Sequence, residues 1–264
     1  MVDRLSLRLA PDELWALTEP LIPKFAARPQ GGGTAPVDDR AVFTAIVHVL
    51  TSGCGRRELP PSFGVTVPTA HRRFTQWTEA GLWPRMHRAV LDELGSRGGG
   101  PVAGDPGRRS GPSEKGGSMT GRNPVDRGKP GSKIHVVSDR AGLPLAVGVS
   151  AADLHDSQAL KPMLMAVPAI RSRRGPRRFR PAKLHADKAY DIDELRRWLR
   201  NRGIVPRIAG KGIDSSDRLG RHRWIAERTI SWLTGHRRLT TRYERHADNY
   251  CGFLTLAAAL TCFK

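Results

Sequence analysis

Acidic residues are scarce in this chain relative to basic ones. Its 264 residues include 25 Asp and Glu against 44 Lys and Arg, which gives a formal net charge of +19 at pH 7. So large an excess indicates a polyanionic partner, and arginine, which dominates here, suits bidentate contact with phosphate. A GC-rich genome would also favour arginine over lysine, but it would not account for the net charge.

Cysteines and long apolar segments are also few. Cys54, Cys251 and Cys262 are too few and too scattered for a disulfide framework or a zinc site. Met1 to Ala10 lacks the apolar core of a secretory signal, and the longest apolar run, Phe253 to Leu260, is far too short to span a bilayer. We therefore expect a cytoplasmic, nucleoid-associated protein with no membrane partner.

Residues 1–95 have the pattern of a helical DNA-binding domain. Apolar residues recur at helical spacing, and breaks fall at Gly53 and at Pro60-Pro61. Phe63 to Phe74 then contains a glycine turn and the start of a helix that Thr66 can cap, which is typical of a helix-turn-helix. A small helical bundle with a basic outer face fits the same pattern equally well.

In a helix-turn-helix, the first residues of the second helix contact base edges in the major groove. The apolar residues of that helix would pack behind, and four polar residues would face outward. These candidate DNA-binding residues are Thr69, His71, Arg72 and Arg73.

The composition changes after residue 95. Residues 96–120 are rich in Gly, Pro, Ser and Arg, and they show neither helical nor strand periodicity, which predicts a linker or a damaged strand. In residues 121–264, strands come first and strand–helix units follow, which predicts a mixed sheet flanked by helices. The predicted fold class is therefore α+β, with a helical part followed by a mixed-sheet domain.

Two carboxylates are candidates for phosphodiester chemistry. Mg²⁺ prefers oxygen ligands, and a pair of such ions can clamp the attacking and leaving oxygens. Asp187 ends the predicted strand Lys183 to Ala186, at the edge where open α/β sheets place their active sites. Glu227 lies on a helix, four residues after Arg223 and on the same face. Taken alone, a helix-capping Asp and a surface Arg–Glu pair would give the same patterns.

Four stretches carry a resemblance to a known family. They are NPVDRGKPGSK at residues 123–133, AADLHDS at 151–157, HADKAYD at 185–191 and GRHRWIAERT at 220–229. In this order they resemble the DDE transposases of bacterial insertion sequences, the insertion-sequence-five family. Residues 53–83 also resemble the DNA-binding segment of that group.

The resemblance implies an RNase H-like catalytic domain with an Asp, Asp, Glu triad that binds Mg²⁺ or Mn²⁺. Asp187 and Glu227 fall at the second Asp and the Glu, as catalytic and metal-binding residues, and Arg223 falls at a supporting arginine. The implied reaction is metal-dependent cleavage of the element's ends and their transfer to target DNA. The implied partners are double-stranded DNA, as terminal inverted repeats and target, and a second copy of the chain in a homodimer.

The first Asp of the triad is the main departure from the family. The family places it on the first strand of the catalytic domain, before a basic Gly-Gly segment that resembles Lys115-Gly116-Gly117. Asp105 is the nearest carboxylate, but the following Pro106-Gly107 suits a turn better than a central strand. The segment also resembles a family-type strand read in a shifted frame, with the Asp at about residue 107.

A frameshifted first strand has two consequences. The sheet should lose this strand or hold it poorly, and this copy should be catalytically impaired. The alternative function is then a catalytically inactive, DNA-binding remnant, and a nuclease that cuts without joining is a further rival. Three other carboxylates lie nearby: Asp126 and Asp139 are expected in turns, and Asp156 is expected to cap a helix.

Overall fold

The structure, a computed structural model, describes residues 4–24, 37–55, 58–98, 103–210 and 216–264, without the side chains of residues 103–105 and 216–223. Its N-terminal part is helical. The helices are α1 (Arg4–Leu9), α2 (Asp12–Thr18), α3 (Asp39–Ser52), α4 (Val67–Glu79) and α5 (Leu82–Ser96).

The predicted start and stop signals operate in this part. Asp38 caps α3 by accepting a hydrogen bond from the Ala41 amide at 2.9 Å, and Gly53 ends the helix in the left-handed conformation at φ 67°. Thr66 caps α4 by accepting a hydrogen bond from the Thr69 amide at 3.4 Å. The predicted bounds of α3 and α4 are therefore confirmed to within a residue or two.

A mixed sheet follows. Its strands are β1 (Ala103–Pro112), β2 (Gly121–Arg122), β3 (Pro130–Ser138), β4 (Pro144–Ala151), β5 (Lys183–Ala186) and β6 (Val205–Ile208). The main order is β4-β3-β1-β5-β6, and the short β2 pairs with the start of β3. The pairs β4–β3 and β3–β1 are antiparallel, whereas β1–β5 and β5–β6 are parallel. The remaining helices are α6 (Asp156–Met165), α7 (Asp193–Asn201), α8 (Ser216–Thr234) and α9 (Ala247–Phe263).

Strand β1 corrects the prediction that residues 96–120 form a linker or a lost strand. It pairs with β3 from Asp105, opposite Ser138, to Pro112, opposite Gly131, and its first residues pair with β5. The ladder joins backbone groups, so it forms without the β-branched side chains that a strand pattern requires. The pairing with β5 covers Ala103 and Gly104, so Pro106 lies beyond it, where a missing amide hydrogen costs less.

Helix α9 joins the helical part to the sheet. It packs against α5 on one side and β4 on the other. The ring of Phe253 stacks on Phe74 of α4 with centroids 4.0 Å apart, and a Cβ on Gly252 would lie 3.0 Å from Cδ1 of Trp83. The longest apolar run of the sequence is thus the centre of one continuous core. Among the described residues, no helix is long and apolar enough to span a membrane.

Candidate active site and DNA-binding surface

Asp187 lies where the sequence predicts it, directly after β5. Its Oδ1 accepts a hydrogen bond from the Ala189 amide at 2.9 Å and so caps the 3-10 turn Lys188–Tyr190. The side chain is 46% exposed. A capping role and a role at the sheet edge are therefore both realised, and the carboxylate can be reached from solvent.

Arg108 of β1 joins Asp187 to a second carboxylate. Its Nη1 lies 3.2 Å from Asp187 Oδ2, and its Nε lies 2.8 Å from Asp156 Oδ2. Lys133 Nζ lies 2.9 Å from the other oxygen of Asp156 and donates a hydrogen bond to the Leu154 carbonyl at 2.7 Å. Two carboxylates and two cations from four different elements therefore form one cluster, which we call the Arg108 cluster.

Asp156 is not the helix cap that the sequence predicts. His155 caps α6 instead, since its Nδ1 accepts a hydrogen bond from the Ser157 amide at 3.3 Å. Asp156 is the first residue of the helix, and its buried side chain faces the two cations. The sequence could not show this, because the pairing of Ser110 with Lys133 and of Arg108 with His135 depends on strand register.

Charge and burial compete in the Arg108 cluster. Burial by itself lowers the pKa of Arg108, but the carboxylates of Asp156 and Asp187 and the Tyr190 hydroxyl outweigh it, so the net shift is upward. Burial also raises the pKa of Tyr190, and the two carboxylates add to that effect. Arg108 therefore stays charged and Tyr190 stays protonated. Nearby, burial lowers the pKa of His135 to about 4, and its Nε2 lies 2.8 Å from the Ser150 hydroxyl.

Glu227 lies on α8, and its side chain is exposed. This helix packs on the sheet face opposite Arg108, because successive residues of a strand face opposite ways and Gly107 meets the helix. A Cβ on Gly107 would lie 3.1 Å from the Cβ of Ala226, the residue before Glu227. Arg223 is on the same helix, but its side chain lies outside the described residues. The strand position that faces Glu227's turn of helix is therefore a glycine.

Asp105, the nearest candidate for the first carboxylate, pairs through its backbone with Ser138 at the start of the β1–β3 ladder. Its side chain lies outside the described residues. Asp126 and Asp139 take the expected turn positions, and Asp139 Oδ1 accepts hydrogen bonds from the amides of Ala141 and Leu143 at 2.9 and 2.8 Å.

The four predicted DNA-binding residues of α4 do not share one outer face. Arg72 is exposed, and Thr69 is half-buried at the helix start. His71 is half-buried and lines an apolar cavity. Arg73 is buried, pairs with Asp39 of α3 and lies over the ring of Trp77, so its predicted outward position is wrong. The α3–α4 contact captures its guanidinium as an internal ion pair.

The segment before α4 is shorter than a full helix. A single 3-10 turn, Pro61–Phe63, leads into Gly64, which has the left-handed conformation at φ 64°. Helix α3 is the next helix upstream and packs against α4.

A second basic surface is the segment 171–180, whose arginines are exposed. Asp92 of α5 holds it in place. Its two carboxylate oxygens lie 2.7 and 2.8 Å from Arg177 Nη1, and Oδ1 accepts a hydrogen bond from the Arg171 amide at 2.6 Å. Exposed arginines of the sheet domain are thus anchored to the helical part.

Trp224 corrects another expectation, because the sequence predicts it on the inward apolar face of α8. It is 50% exposed, and Trp232 is 40% exposed. The guanidinium of Arg228 lies between them, 4.2 Å from the Trp224 ring and 4.8 Å from the Trp232 ring. Together the three side chains form an exposed aromatic and basic strip beside Glu227.

The mixed sheet, the strand-end Asp and the helical Glu define a class of protein, the DDE transposases. A family model described as "Transposase DDE domain" matches residues 105–262, and one described as "Putative transposase of IS4/5 family" matches residues 10–87. The chain belongs to the DDE transposases of the IS4/5 family, as the sequence resemblance predicts.

Two proteins of one insertion element of Burkholderia cepacia are similar to this chain. The "Putative transposase for insertion sequence element IS402" is 45% identical over 145 residues, which cover 55% of this chain and 69% of that protein. The "Insertion element IS402 uncharacterized 16.2 kDa protein" is 41% identical over 85 residues, which cover 31% of this chain and 58% of that protein.

DDE transposase domains generally use divalent metal ions. Among the residues whose side chains are described, no group of three or more His, Cys, Asp or Glu could hold such an ion. At Asp187, one oxygen accepts the Ala189 amide and the other faces Arg108. Mg²⁺ demands near-octahedral oxygen coordination, so the described side chains do not fit a bound ion.

Proposed function

We propose that this protein is an insertion-sequence transposase that binds double-stranded DNA at the element's ends, and that metal-dependent cleavage and strand transfer are impaired in this chain. One observation carries the proposal. Exposed arginines suited to phosphate remain on the surface, while the strand-end carboxylate Asp187 is ion-paired to Arg108.

Two basic surfaces support DNA binding. Arg72 is exposed near the start of α4, where a recognition helix meets DNA, and the buried Arg73–Asp39 pair fixes α4 against α3. The arginines of 171–180 are tied to α5 by Asp92. A duplex that contacts α4 could therefore extend over a second set of cations whose position is fixed relative to the first.

The sheet supports an RNase H-like core, since three strands with antiparallel pairing, β4, β3 and β1, lead to the parallel strands β5 and β6. In such a core, β1 and β5 are neighbours, and carboxylates from them and from α8 would converge. Here β1 presents Gly107 to α8 and Arg108 to Asp187. The described part of β1 thus brings a cation, and no carboxylate, to the site.

Fluorescence anisotropy with labelled duplexes tests DNA recognition. One duplex carries the inverted repeats that flank the gene, and the matched control has the same composition in scrambled order. We expect tighter binding to the repeats in buffer with EDTA, because the contacts are to phosphates and bases. Equal affinity for the two duplexes would contradict recognition of the ends.

Cleavage of the same duplexes in Mg²⁺ and in Mn²⁺ tests the impairment. We expect the natural chain not to cleave. Gly107→Asp places a carboxylate beside α8, although its Cβ must gain a few tenths of an ångström from Val136 and Ala226. Restored cleavage in that variant would support the proposal, and full cleavage by the natural chain would contradict it.

The second candidate is an active transposase with Asp105 as its first carboxylate. The retention of Asp187 at the end of β5 and of Glu227 on α8 favours it. Cleavage that is lost in Asp105→Asn would support this candidate. Joining of the cut ends to target DNA would then distinguish a transposase from a nuclease. Cutting two ends together also implies a homodimer on DNA, which sedimentation of the complex would detect.

A further inference from the structure

We propose that Asp156 and Asp187 form a latent divalent-cation site that the guanidinium of Arg108 occupies as an internal cation. This inference deepens the proposed function, since it names the group that keeps metal ions from Asp187. It also involves Asp156, which lies outside the Asp and Glu positions carried over from the family.

The geometry is that of a cation held between two carboxylates. Nε and Nη1 of Arg108 lie 2.8 Å from Asp156 and 3.2 Å from Asp187, and both contacts use the Oδ2 atom. The carboxylates come from α6 and from the end of β5, so residues far apart in sequence meet at one positive group. An ion placed between these oxygens would overlap the guanidinium, so the two cations exclude each other.

A buried oxygen gives independent support. Oδ1 of Asp156 is buried and lacks a hydrogen bond, although Lys133 Nζ lies 2.9 Å away as an ion-pair partner. A buried carboxylate oxygen retains unused coordinating capacity, since it can accept more than one partner. Asp187, at 46% exposed, supplies a route from solvent.

Charge balance explains why the natural chain should resist metal. Arg108 and Lys133 already neutralise the two carboxylates. A divalent ion would face their repulsion at short range in a partly buried site, where charge interactions are stronger than in water. Removal of Arg108 leaves two carboxylates with only Lys133, and that imbalance favours a cation.

The test is Mn²⁺ binding to the purified full-length protein, followed by the loss of the free-ion electron paramagnetic resonance signal. Arg108→Gln should bind Mn²⁺ at least about tenfold more tightly than the natural chain, because one repulsive charge is lost beside the ion. Adding Asp187→Asn to that variant should abolish the gain. Arg108→Lys, which keeps a cation there, should behave like the natural chain.

Arg109→Gln is the matched control. Arg109 is the next residue of β1 but faces the other side of the sheet, where its Nη1 donates a hydrogen bond to Thr234 Oγ1 at 2.7 Å. It should leave Mn²⁺ binding unchanged. An equal gain in this variant would overturn the proposal, because the effect would then reflect net charge alone. Unchanged affinity in folded Arg108→Gln would overturn it as well.

Thermal unfolding of each variant establishes whether it folds. If Arg108→Gln does not, Asp187→Asn in the natural background decides the question. The proposal expects that variant to bind Mn²⁺ as weakly as the natural chain, and a loss of binding would overturn it. The proposed function fails separately, by cleavage in Mn²⁺ with the natural chain or by equal affinity for repeat and scrambled DNA.

Discussion

His87 is a buried titratable group at the junction between the helical part and the sheet. It lies on α5 and is 4% exposed, and its Nε2 lies 2.9 Å from the carbonyl oxygen of Pro144, the first residue of β4. Cys262 of α9 donates to the same carbonyl at 3.4 Å. Because a carbonyl only accepts, the neutral ring must carry its proton on Nε2.

Burial lowers the pKa of His87 from 6.5 to about 4, and the bond to Pro144 offsets part of that effect. The unfolded chain therefore takes up a proton before the folded chain does as the pH falls. The contribution of a neutral His87 to stability is complete above pH 6.5 and is lost between pH 6.5 and about 4. At about 1.4 kcal/mol per pH unit, the loss between pH 6.5 and 5 is about 2 kcal/mol.

The perturbation is His87→Gln, which can still donate a hydrogen bond to Pro144 but does not titrate. Urea unfolding followed by tryptophan fluorescence would give the free energy of unfolding at about pH 7.5 and about pH 5. The natural chain should lose about 2 kcal/mol more than the variant over this interval. His135 and His236, whose pKa values burial lowers to about 4, titrate in both proteins and cancel in the comparison.

The exposed His246 supplies the control, and His246→Gln should follow the natural chain at both pH values. The reasoning is refuted if the free energies of the natural chain and His87→Gln fall in parallel as the pH drops. That result would mean that His87 is hydrated and titrates normally in the folded protein.

Three further predictions follow from packing and charge. Phe253→Ala should lower the free energy of unfolding by about 3–5 kcal/mol, because its ring stacks on Phe74 in the shared core; a loss below about 1 kcal/mol in urea unfolding would contradict that packing. Arg72→Ala should weaken DNA binding without changing stability, whereas Arg73→Ala should destabilise the fold by leaving Asp39 without its partner; anisotropy and thermal unfolding separate the two, and the opposite assignment would refute the placement of α4. The logarithm of DNA affinity should fall by about 0.9 per neutralised phosphate with the logarithm of salt concentration, and a flat response would exclude a binding mode based on phosphates.

Much of the local structure could be predicted from the sequence. Asp38, Gly53 and Thr66 act through hydrogen bonds and backbone angles within a few residues of themselves, so the bounds of α3 and α4 follow from short-range patterns. The position of Asp187 follows in the same way, because a strand that ends at Ala186 places the next residue at the sheet edge. The family resemblance also rests on short motifs.

Strand β1 shows where this reasoning failed. Its residues carry the Gly, Pro and Arg composition of a loop, and the strand forms because β3 and β5 offer their backbone groups on either side. Such an interaction depends on neighbours that are distant along the chain, so no periodicity within residues 96–120 could indicate it. Gly107, which suggested a turn, is instead the residue that lets α8 approach the sheet.

By itself, the sequence determined the excess of positive charge, the order of helices and strands after residue 121, the transposase motifs and the two candidate carboxylates, because each depends on composition or on nearby residues. Only the tertiary structure decided which cations remain exposed and which are held inside. Strand register and helix packing bring Arg108 to Asp187 and Arg73 to Asp39, although both arginines look like surface residues in the sequence. Ion pairs form between groups that the fold makes neighbours, and that adjacency is a property of the folded chain.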